Sequence, residues 1–205
     1  MRSSKRISQD PRFIARFVLM MAVFFGCLLV CGIGDAAAQD KEALIRDALS
    51  AAPTEIAKTA KVVDADGTLL RPGSGGYTCF ATMPELRKKG KEPMCLDKTW
   101  IAWREAWLNK KPFKPEQIGI GYMLAGDAGS SNIDPYAEAP TSTNQWVVEG
   151  PHTMVIVTDP AQLEGLSTDP NNGGAYVMWK GTPYVHIMVP VGARPKAKSR
   201  RAAKK

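Results

Sequence analysis

The chain has 205 residues, 27 lysines and arginines against 20 aspartates and glutamates, two histidines and four cysteines. Its length fits one domain able to bury a core, and 44% hydrophobic residues exclude a disordered or collagen-like chain. The net charge of +7 lies at the two ends: residues 39–193 carry 15 basic against 18 acidic residues, so no specific nucleic-acid binding is expected of the body.

Residues 1–38 read as a signal peptide. Arg2, Lys5, Arg6, Arg12 and Arg16 make a basic start, Phe17 to Ile33 is apolar and uncharged, and Ala36-Ala37-Ala38 offers a cleavage site. An uncleaved anchor is the rival, but the apolar run is at the short edge for a bilayer span. The expectation is a periplasmic or secreted protein cut near Ala38. Cys27 and Cys31 leave with that segment. Cys79 and Cys95 remain, and an even pair in an oxidising compartment predicts a disulfide.

Residues 39–193 are expected to form a single globular domain. Asp40 to Ala52 has the apolar spacing of an amphipathic helix, stopped by Pro53. Thr54 caps a further short turn over 55–58. Lys61 to Asp64 and Thr68 to Leu70 flank Asp66-Gly67, a hairpin signal. A third short strand spans Tyr77 to Phe80. Asp97 predicts the N-cap of a helix over 98–109, with Trp100, Trp103 and Trp107 on one stripe. That stripe is a core face or, alternatively, an aromatic platform for a flat ligand. A strand over 118–124 carries Gly119 and Gly121, where another backbone is expected to approach.

A long loop follows, 125–144, and loops of that length are often functional. Asp127, Ser131, Asn132 and Asp134 are its candidate ligand-binding residues. They supply oxygen donors, but without the spacing of a calcium loop. Ser130 or Ser131 with His152 and Asp127 or Asp134 is the corresponding reading as a serine hydrolase, though no G-x-S-x-G elbow is present. The opposite reading is that these side chains bond the loop's own backbone.

Strands are predicted over 145–149 and 152–157, a short helix from Asp159-Pro160 through Leu166, and a closing hairpin over 176–179 and 184–191. Clustered strands and few helices give an α+β fold with a mostly antiparallel sheet. The tail 194–205 (RPKAKSRRAAKK) has no apolar pattern and is expected to be disordered, with anionic surfaces as its possible contacts.

Both histidines precede a methionine by two residues, His152-Thr153-Met154 and His186-Ile187-Met188. In strands, such pairs share a face. If the two strands are neighbours in register, His152, Met154, His186 and Met188 form a two-nitrogen, two-sulfur set suited to copper. Two ordinary buried strands would carry the same residues. The H-x-M pairs are similar to the ligand pair of small periplasmic copper chaperones. Those chaperones also place a methionine 22 residues before the histidine; here Glu164 and Ser130 occupy those positions.

Gly121-Tyr122-Met123-Leu124 with Gly126-Asp127, Ser131-Asn132 with Asp134-Pro135, Gly150 to Met154, and Val177 to Tyr184 together resemble a family of small secreted bacterial proteins without an assigned function. That resemblance implies one compact exported domain and carries no site residue over. The function expected is non-catalytic binding of a small ligand or an envelope polymer, with copper binding and serine hydrolysis as alternatives.

Overall fold

Three helices and ten short strands make up the computed structural model, which describes residues 38–195. The expected signal segment (save Ala38) and the tail beyond residue 195 lie outside the described residues. The described residues from Ala43 onward form one compact unit. No described helix is long and apolar enough to cross a membrane.

A helix α1 covers 38–49, followed by α2 (Thr54–Thr59). The Asp-Gly hairpin forms: β1 (Lys61–Val63) pairs antiparallel with β2 (Leu69–Arg71), and Gly67 takes the left-handed conformation that the turn requires. β3 (Thr78–Phe80) lies parallel to β1, the one parallel pair in the large sheet. β4 (Met94–Leu96), β5 (Gly119–Met123), β8 (His152–Ile156), β10 (His186–Pro190) and β9 (Tyr176–Met178) then follow in antiparallel contact, giving the order 2-1-3-4-5-8-10-9. The fold is α+β with a mostly antiparallel sheet. The disulfide joins Cys79 to Cys95, which sit directly opposite on β3 and β4.

The sheet has a helix on each face. Ile45 and Ala48 of α1, with Ala51 in the turn after it, pack on Val62, Cys79 and Cys95. On the other face lies α3 (Lys98–Leu108), whose Trp100 and Trp103 are buried against Leu96, Met154 and Met188. Alternation along the strands sorts residues between the faces: Cys95 points to α1 while Met94 and Leu96 point to α3.

Asp97 fixes α3 on the sheet. One carboxylate oxygen accepts from Trp100 N at 2.9 Å, the N-cap bond, and the other from Ile120 N on β5. The close approach expected at Gly119 and Gly121 comes from side chains, of α3 at Gly119 and of β8, β4 and α3 at Gly121, rather than from backbone. A Cβ on Gly119 would lie 3.0 Å from Thr99, and one on Gly121 3.3 Å from Trp100 Nε1 and 3.1 Å from Met154 Cε.

Several expectations change. The 125–144 loop contains a strand, β6 (Ser130–Ser131), paired with β7 (Trp146–Val147) in a small second sheet. The helix expected through Leu166 is a single 3-10 turn, Pro160–Leu163, capped by Asp159. Arg194, placed in the tail by its charge, belongs to the fold: its Nε donates at 3.0 Å to both oxygens of the buried Glu149 carboxylate.

Candidate functional site

Between α3 and the strands β4, β5, β8, β10 and β9 lies a cavity of about 120 Å³. Its wall includes both histidines of the chain and all six methionines among the described residues, from Met83 to Met188. Cross-strand register arranges them. Met123 on β5 is opposite His152 on β8. Met154 on β8 is opposite Met188 on β10. Met178 on β9 is opposite His186 on β10. All six side chains are on the α3 side.

The four residues His152, Met154, His186 and Met188 therefore share one face of neighbouring strands. They do not form a compact rectangle. Met154 and Met188 face each other, whereas His152 is opposite Pro190, so the two histidines flank the methionine pair from opposite ends. Four residue steps at about 3.4 Å separate their rows, too far for the two imidazoles to share one ion comfortably. Each histidine instead has a methionine directly across from it, Met123 or Met178, and another two residues along its own strand.

Both imidazoles are buried, with 0% and 2% of their surface exposed. Each is fixed by the same local bond. His152 Nδ1 lies 2.8 Å from the Gly150 carbonyl oxygen and His186 Nδ1 lies 2.9 Å from that of Tyr184. A carbonyl oxygen only accepts, so Nδ1 carries the proton and Nε2 presents a lone pair. Burial lowers both pKa values, that of His186 to about 4, so both rings are neutral at pH 7. His152 Nε2 has no hydrogen-bond partner among the described residues. His186 meets Trp100, Trp103 and Trp179 edge-to-face, with ring centroids 5.2–5.5 Å away.

Glu92 and Asp127 complete one end of the cavity. Burial pushes each carboxyl up to about 7, and at Asp127 the charges of Glu92 and Glu149 add to it. Asp127 Oδ1 accepts from Gly129 N at 3.0 Å and Glu149 N at 2.8 Å; Glu92 Oε2 accepts from Ala128 N at 3.1 Å. Met83, Glu92, Trp107, Gly129 and Ser130 also line a groove on the outer surface, so this end is where the cavity borders the outside.

Of the remaining loop candidates, Ser131 and Asp134 bond the loop itself and Asn132 ties it to neighbouring segments. Ser131 Oγ donates to the Asn144 carbonyl at 2.6 Å and accepts from Ile133 N and Asp134 N. Asn132 Nδ2 donates to Gln145 Oε1 and the Thr168 carbonyl. Asp134, exposed, accepts from Tyr136 N. Of the four, only Asp127 reaches the cavity. Neither Ser130 nor Ser131 is bonded to His152, so the serine–histidine pair of the hydrolase reading is not formed.

The Trp stripe is largely core. Trp103 stacks on Trp179 at 5.5 Å between centroids, and Trp107 Nε1 donates to the Pro135 carbonyl at 2.9 Å. Trp179 itself has a left-handed backbone (φ 55°), held by bonds from its N to the Asn132 carbonyl and from its Nε1 to that of Ser131. Sequence reasoning missed Met83, Glu92 and Trp179 as parts of this wall. No periodicity marks the first two, because they lie in the irregular segment between β3 and β4. Comparison of the chain with protein-family models, curated proteins and solved structures returned no match.

Among the described residues, no group of three or more His, Cys, Asp or Glu side chains is placed to hold a metal ion.

Proposed function

We propose that this is an exported binding protein that encloses a very small ligand, a few heavy atoms or a single ion, in the cavity beneath α3. The observation that carries this reading is His152 Nε2, a buried lone pair with no partner on the wall of that cavity. Leaving such an acceptor unsatisfied costs about 1–3 kcal/mol, and in a native protein that cost calls for an occupant or a role. Apolar packing explains methionines in a core; it does not explain an imidazole with a bare nitrogen. The volume fits the small-ligand branch of the expectation and is too small for an envelope polymer, since a cavity of about 150 Å³ accepts benzene. Export is supported by the basic and apolar start of the chain and by the disulfide, which persists in oxidising compartments.

The test uses the two histidines as reporters. In a carbon–proton NMR spectrum of the imidazoles, titration with benzene (an apolar probe) and separately with Ag(I) (a soft cation) is expected to move the ring signals, and at least one probe to raise the melting temperature. Unmoved ring signals and an unchanged melting temperature with both probes would remove the cavity as a binding site.

A further inference from the structure

We propose that the cavity is a Cu(I) site in which Nε2 of His152 and the thioether sulfurs of Met123 and Met154 are the ligands, with Met188 beside them as a fourth donor. This deepens the reading of the cavity as a ligand site and rests on it.

Geometry selects these residues. Met123 stands opposite His152 across the β5–β8 ladder, and Met154 is two residues along β8 on the same face. Directly opposite Cβ atoms in such a ladder are about 4.5–5.5 Å apart, and i, i+2 neighbours about 7 Å. A flexible methionine and an imidazole spaced in this way can converge on one small ion without moving backbone. Met188 lies next to Met154 on the other side of β8, directly opposite it on β10. Gly121, opposite Met154 on β5, has no side chain to fill the space, and Met154 Cε lies 3.1 Å from where its Cβ would stand. The mirror cluster of His186 with Met178 is less suited, because three indole rings surround that imidazole.

The donor chemistry points to the ion. Thioether sulfur is soft and neutral, and imidazole accepts either copper state, so one imidazole with two or three thioethers favours monovalent copper over zinc, calcium or magnesium. The ligands carry no proton to displace: the Gly150 carbonyl holds the His152 proton on Nδ1 and leaves Nε2 free. Metal-bound histidines are oriented in this way, with the other ring nitrogen donating to a carbonyl. Cys79 and Cys95 are tied in their disulfide and supply no thiolate. The ion would reach the site from the outer groove, past Glu92 and Gly129.

The test is an anaerobic titration of the full-length chain with Cu(I) against a chromophoric Cu(I) chelator, with Cys27 and Cys31 replaced by serine so that neither competes. One equivalent is expected to bind, and X-ray absorption is expected to find both sulfur and nitrogen in the first shell. Met123→Leu and Met154→Leu, close in volume to the native residues, should each weaken binding at least tenfold. Met178→Leu should leave it unchanged. Absence of uptake, or affinity untouched by Met123→Leu and Met154→Leu, overturns the site. Benzene binding measured on the same samples separates the two failures: benzene without copper leaves the cavity reading standing and removes the metal, whereas neither ligand removes both.

Discussion

Arg194 closes on Glu149 with its Nε 3.0 Å from each carboxylate oxygen, and the carboxylate it holds is 1% exposed. Tyr176 donates a further bond to Glu149 Oε1 at 2.9 Å, and Arg194 also donates to Asn171 and to the Pro170 carbonyl. The pair pins the end of the described chain at the end of the sheet where β8 starts and β10 finishes, beside the Asp127 loop that borders the cavity.

Removing one partner of this pair leaves a charge buried without compensation. Arg194→Ala is expected to cost about 3–5 kcal/mol in a urea unfolding experiment. Adding Glu149→Gln to it should recover part of that loss. An Arg194→Ala protein as stable as the native one would show that the contact contributes nothing.

The disulfide links neighbouring strands across a sequence separation of 16. In the chain-entropy view it stabilises the fold by about 3 kcal/mol. Replacing Cys79 and Cys95 together by alanine should lower the unfolding free energy by that order. Reductant should then shift the midpoint of the native chain and leave that of the variant where it is.

Gly121 faces α3 with Met154, Leu96 and Trp100 around it at 3.1–3.3 Å from where a Cβ would stand. Gly121→Ala forces small shifts in three packed side chains. Gly121→Val overpacks, with a cost of about 1–3 kcal/mol. The larger substitution should also abolish benzene uptake, read by the same NMR titration, because it fills the space next to Met154.

Burial holds the Asp127 carboxyl at about 7, above its ordinary value, so the folded state binds that proton more tightly than the unfolded one. The associated stability is fully present at pH values below the ordinary carboxylate range and is lost as pH rises through about 7. Asp127→Asn keeps an acceptor oxygen for Gly129 and Glu149 and removes the titration. Relative to the native chain, the variant should gain at least about 1 kcal/mol between pH 5 and pH 9. His186 works in the opposite sense: its pKa is lowered to about 4, so its contribution is present above about 6.5 and lost as pH falls through 4. Unfolding midpoints for both proteins at several pH values read the difference directly, and parallel curves would show that Asp127 does not titrate in this range.

Local signals in the sequence were enough for most elements. Asp66-Gly67 marks the β1–β2 turn, Asp97 the start of α3, Asp159-Pro160 the 3-10 turn, and alternation the strands that carry His152 and His186, because each depends on a few neighbouring residues. The pairing of Cys79 with Cys95 followed from their being the two cysteines left after the N-terminal segment. The 125–144 loop was legible as a loop, and its expected self-bonding holds at Ser131; that Asn132 ties the loop to Gln145 and Thr168 and that Asp127 turns to the cavity were not legible.

By itself, then, the sequence determined the kinds of element, the α+β class, the disulfide pair and the H-x-M pattern. Only the tertiary structure decided what those pairs face. β8 lies between β5 and β10, and the register of two ladders sets Met123 against His152 and Met154 against Met188. Register between strands some 30 residues apart depends on which faces are buried and on how α3 covers the sheet, and no local spacing encodes it. For the same reason Arg194, basic in composition like the residues after it, could be assigned to the fold only once Glu149 was found buried beneath it.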